Sequence, residues 1–138
     1  LYIMDMATKK LDWHKVVFPG AKQYTDLCFA PNGLAYGFVD RTRFFVFDPA
    51  KREVVHEADT SETFGPTNYQ QGPRVFVLAP DDTLYVLFSK GVAKVDQKTH
   101  AITMLAESPV PIGPGGDILD GRIYFSSGSH VYSYQVPK

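Results

Sequence analysis

Residues 74–105, RVFVLAPDDTLYVLFSKGVAKVDQKTHAITML, constrain the fold more than any other stretch of the chain. Four short apolar runs (75–78, 84–88, 92–95 and 101–105) are separated by Pro80-Asp81-Asp82, by residues 89–91, and by Asp96-Gln97-Lys98-Thr99. The runs are rich in β-branched and aromatic residues, and the separators are turn formers, so the stretch predicts a four-stranded antiparallel meander. A sheet whose strands are apolar on both faces cannot bury itself alone. It is expected to stack on copies of its own kind.

The sequence supplies those copies. Pro31 repeats as Pro80, an offset of 49, and Asp48 repeats as Asp96, an offset of 48. Around them, Leu27-Cys28-Phe29-Ala30-Pro31-Asn32-Gly33 corresponds to the first strand and turn, and Phe45-Val46-Phe47-Asp48 to the third strand and its aspartate. Tyr2-Ile3-Met4-Asp5 repeats that third-strand half at the N-terminus, with a fourth strand over 11–17. At the other end, residues 117–125 supply strands one and two, and residues 131–136 strand three, with Gln135 in the aspartate position. An aspartate opening a tight turn accepts hydrogen bonds from backbone N–H groups just beyond it, so Asp5, Asp48 and Asp96 are assigned to turns and not to chemistry. Tyr36, Tyr85 and Tyr124 recur at one repeat position and are expected to pack between sheets.

A four-stranded repeat of this length is the signature of a β-propeller blade. The pattern of apolar strand, A-P-[ND]-G-x-[LA]-Y, apolar strand and then F-D-P or V-D-x-K-T resembles the repeats of the NHL, YVTN and SMP-30/gluconolactonase-like propellers. The expectation is an all-β chain forming one propeller segment over 1–138. It divides into outer strands of a partial blade (1–17), blades at 24–58 and 74–107, and a partial blade at 117–136. That is about three blade equivalents, whereas propellers close with about 4–8 blades. Closure therefore calls for missing blades or for self-association. Both termini fall inside expected strands, which reads as a segment of a longer protein.

Net charge is −1 and the pI is near 6.5, which gives no electrostatic case for nucleic acid or an anionic membrane. No apolar run approaches the roughly 20 residues a transmembrane helix needs. The lone Cys28 forbids an internal disulfide, and its apolar surroundings suit a buried, inert thiol. His14, His56, His100 and His130 have no H-x-H or H-E-x-x-H spacing, and His56 and His100 fall in or beside outer strands. There is no G-x-S-x-G, P-loop or dinucleotide fingerprint, and Gly113-Pro114-Gly115-Gly116 is too short and proline-bound to cradle phosphate.

The resemblance implies that ligand sites lie on the face around the central channel, on the loops from strand four to the next strand one and from strand two to three. Two such loops, at 61–73 and 109–116, are longer than a hairpin needs. The binding candidates on this face are Tyr24, Asp26, Arg41, Asn68, Gln71, Arg74 and Asp117. Amides, an aromatic ring and an arginine suit a glycan or peptide. Arg74 and Asp117 either pair structurally or grip a substrate carboxylate. The function expected is non-catalytic recognition of a small molecule, glycan or partner protein. The alternative is a metal-dependent hydrolase, lactonase or lyase of SMP-30-like type. That reading would use Ca²⁺ or Mg²⁺ on Asp26, Asn68 and Asp117, with further ligands outside this chain. A third reading is purely architectural. By resemblance alone, a bacterial extracytoplasmic location is favoured.

Overall fold

The structure is a computed structural model that describes residues 1–68 and 74–137. The described residues are all-β, without a helix, and form four antiparallel sheets of two to four strands. The first sheet pairs β1 (Tyr2–Asp5) with β2 (Lys10–His14). The second is β3 (Tyr24–Phe29), β4 (Ala35–Val39), β5 (Arg43–Asp48) and β6 (Glu53–Asp59), hydrogen-bonded in that order. The third repeats the arrangement with β7 (Phe76–Leu78), β8 (Leu84–Phe88), β9 (Gly91–Val95) and β10 (Ile102–Glu107). The fourth has three strands, β11 (Gly116–Leu119), β12 (Arg122–Ser127) and β13 (His130–Gln135).

Strand pleating explains why the apolar runs are continuous. Successive side chains point to opposite faces, so a central strand sandwiched between two sheets needs apolar residues at every position. Tyr36, Phe38, Phe44 and Val46 face the third sheet, where they meet Leu84, Val86, Phe88, Ala93 and Val95. The alternate set, Ala35, Val39, Phe45 and Phe47, faces the first sheet and packs with Ile3 and Trp13. Tyr85, Leu87 and Val92 face the fourth sheet and meet Ile123 and Phe125. Three cores thus join four sheets in chain order. Gly116 permits the third of these contacts, because a Cβ there would run into Leu87 and Val77.

The turn aspartates behave alike. Asp5 accepts from the Ala7 and Thr8 amides (2.8 and 3.0 Å), Asp48 from Ala50 and Lys51 (2.9 and 3.1 Å), and Asp96 from Lys98 and Thr99 (2.7 and 3.1 Å). These bonds, to charged acceptors, hold all three carboxyl groups below the usual carboxylate range. Four residues on from each aspartate, Lys9, Arg52 and His100 adopt left-handed backbone, φ 57°, 61° and 62°, and carry the chain into the outer strand.

Candidate functional site

Two adjoining clefts lie where the loops between strands meet. Their position follows from a chain of backbone hydrogen bonds that links the loops of successive sheets. The Thr67 amide donates to the Arg41 carbonyl (2.9 Å), and the Ser89 amide to the Pro66 carbonyl (2.9 Å). The Ile112 amide donates to Ser89 (2.9 Å), and the Gly113 amide to Ser126 (2.7 Å). The β4–β5 turn, residues 66–67, the β8–β9 turn, residues 112–113 and the end of β12 therefore form one connected set.

The first cleft, about 390 Å³, is lined by Arg41, Asn68, Ser89, residues 111–114 and residues 126–128. Arg41 has left-handed backbone, φ 71°, and its Nε donates to the Thr67 carbonyl at 2.9 Å. Its own amide donates to the buried Thr25 hydroxyl (3.0 Å), so the guanidinium is delivered from a fixed turn. The Asn68 amide Nδ2 donates to the Ile112 carbonyl at 3.2 Å. The second cleft, about 490 Å³, is lined by Arg74, residues 114–117, residues 124–126 and Val131. Both clefts include Pro114 and Ser126, and the Ser126 hydroxyl donates to the Pro114 carbonyl (2.8 Å) at their shared wall. Both volumes fall in the range of small-molecule sites.

The sequence-derived candidates separate into three groups. Arg41 and Asn68 line the first cleft, and Arg74 and Asp117 the second. Arg74 and Asp117 share the cleft without forming an ion pair, and the Asp117 Oδ1 accepts from the Ile118 amide at 2.8 Å. Asp26 and Tyr24 line neither cleft. The Asp26 carboxylate instead accepts from the Leu27 amide (2.8 Å) and, across sheets, from the Val75 and Phe76 amides (2.8 and 3.3 Å). Tyr24 packs against Phe18 and edge-on to Phe45, each at 6.1 Å, and burial raises its phenol pKa. Gln71 lies outside the described residues, with Tyr69 and Gln70. Asn68 and Asp117 are thus placed in neighbouring clefts and Asp26 away from both, and no group of three metal-ligating His, Cys, Asp or Glu side chains exists among the described residues.

Sequence reasoning places residues 89–91 and 127–130 in loops of this face without naming Ser89 or Ser127 as binding residues, and it missed Ser126 and Tyr124 as lining residues. The signal available for the serines was position: Ser89 lies between β8 and β9, and Ser126 and Ser127 end β12 next to the turn into β13. The chemistry on offer is hydrogen bonding: hydroxyls, a side-chain amide, two guanidinium groups and one carboxylate. Near the first cleft the Ser129 hydroxyl lies 3.3 Å from His130 Nδ1, but these are chain neighbours on an exposed turn, and no described carboxylate bonds that imidazole. Cys28 is half-buried, and burial, reinforced by the nearby Asp26 charge, raises its thiol pKa, which suppresses the nucleophilic thiolate. No protein-family model matches the chain, and a search of curated proteins finds no match.

Proposed function

We propose that the chain is a non-catalytic recognition module built from β-propeller blades, and that its ligand binds in the two adjoining clefts at the loop end. One observation carries this reading: loops from three successive sheets are hydrogen-bonded to one another, and the two clefts along them are lined by Arg41, Asn68, Arg74, Asp117 and Ser127. The sheet order supports the blade reading. Each sheet is an antiparallel meander in chain order, packed on the sheet before it, with strand counts of two, four, four and three.

The ligand class follows from the groups present. Among the described residues no carboxylate lies within ion-pair distance of Arg74, and the Ser126 hydroxyl and Tyr124 line the same cleft. A guanidinium next to hydroxyls and an aromatic ring suits a sugar bearing a carboxylate. The test is a titration of the ¹⁵N-labelled chain with oligogalacturonate and with a neutral oligosaccharide of equal length. Amide shifts are expected at residues 112–117 and 124–128, with the acidic sugar binding tighter. Arg74→Ala should weaken binding about tenfold or more, the usual cost of losing a hydrogen bond to a charged group. Shifts confined to other surfaces, or equal affinity in the Arg74→Ala variant, would overturn the assignment.

A further inference from the structure

We propose that His56 and His100 form a proton-operated latch at the outer edge of the interface between the second and third sheets. When neutral the two rings pack together; when protonated they repel and loosen that edge. His56 projects from β6, while His100 ends the turn from β9 to β10, so the rings come from different sheets. Their centroids are 5.4 Å apart. His56 stands edge-on to Phe44 at 5.9 Å, and His100 edge-on to Tyr36, also at 5.9 Å. The Tyr36 hydroxyl lies 3.4 Å from His100 Nδ1 and accepts from Asn32 Nδ2 at 2.9 Å. The backbone fixes the second ring as well: His100 is left-handed at φ 62°, and its amide donates to the Asp96 carbonyl at 2.7 Å.

The surroundings give little help to a positive charge. From β4 the group facing His100 is the neutral phenol of Tyr36, and β5 contributes the apolar Phe44. Ile102 and Met104 of β10 pack against the same core. The acidic neighbour is Asp96, whose carboxylate is already engaged by the Lys98 and Thr99 amides, with the Lys98 charge beside it. Burial and His56 together hold the His100 imidazole below its ordinary value, with Asp96 opposing them. The unfolded chain therefore takes up the proton first. The stability contributed by His100 is complete above the unfolded value of about 6.5 and is lost as pH falls from there through the lower folded value.

The test pairs imidazole titration by NMR with thermal unfolding at pH 7.5 and 5.5, for the native chain, His56→Gln and His100→Asn. Asparagine tolerates left-handed backbone, so the second variant keeps the turn. In the native chain His100 is expected to titrate below the ordinary imidazole value. His56→Gln should raise the His100 midpoint by about half a pH unit or more, as expected for coupled sites. Both variants should lose fewer degrees of Tm on acidification than the native chain. A His100 midpoint unmoved by His56→Gln, or an undiminished acid loss in that variant, would overturn the proposal. The native titration and His56→Gln suffice if His100→Asn does not fold.

Discussion

Asp26 sits on β3, yet its carboxylate is bound to the backbone at the start of β7 in the next sheet. Val75 and Phe76 are buried there, with 1% and 6% exposure, and their N–H groups stand where the strand begins. A buried N–H left without an acceptor costs about 1–3 kcal/mol. Asp26→Ala should therefore destabilise the chain by about 2 kcal/mol in urea unfolding, and Asp26→Asn, which keeps one acceptor oxygen, by less. An Asp26→Ala variant as stable as the native chain would show that water replaces the carboxylate. From the sequence this residue looked like a ligand-site aspartate, because an isolated Asp beside an apolar run carries no mark of a partner 49 residues away. Asp5, Asp48 and Asp96 were legible for the opposite reason: their partners are two and three residues on. Local hydrogen bonding leaves a local signature, and cross-sheet bonding does not.

Strands were legible for the same reason, since short continuous apolar runs bounded by turn residues are local. The runs expected at 84–88 and 92–95 correspond to β8 at Leu84–Phe88 and β9 at Gly91–Val95. Pairings across sheets, such as His56 with His100, had no such signal. Within an element, one glycine carries a strand-level constraint. Gly37 of β4 is paired directly with Phe45 of β5, and the Phe45 ring occupies the space that a Cβ at Gly37 would need. The fully buried ring cannot swing out without uncovering the core against the first sheet. Gly37→Ala should cost about 1–3 kcal/mol, the range for overpacking a filled core. Phe45→Leu made in the same chain should recover part of that cost, measured as non-additivity in a double-mutant cycle. Strictly additive losses would mean that the ring moves aside freely.

At the scale of the whole molecule, burial follows the stacking order and fails at its ends. Tyr36 and Tyr85 are buried against the sheet that follows each of them, while Tyr124 holds the same register position and is 38% exposed. On the fourth sheet's open face it stands with Leu119 and Val131, 63% and 75% exposed. The first sheet has two strands where its neighbour has four, so Leu27 and Phe29 on β3 are left uncovered, and Tyr2 and Leu11 face outward. The β13 edge is also unpaired among the described strands. Contiguous apolar faces next to an open strand edge favour association. Light scattering after size exclusion should therefore give a mass above 15.4 kDa that rises with concentration. Leu119→Lys with Val131→Lys places charge on the fourth sheet's open face without touching its buried side, so the rise should shrink in that variant. A monodisperse species of monomer mass across the concentration range would show that these faces are stable in water as they stand, and the stacking rule read from the three inner interfaces would then end with the fourth sheet.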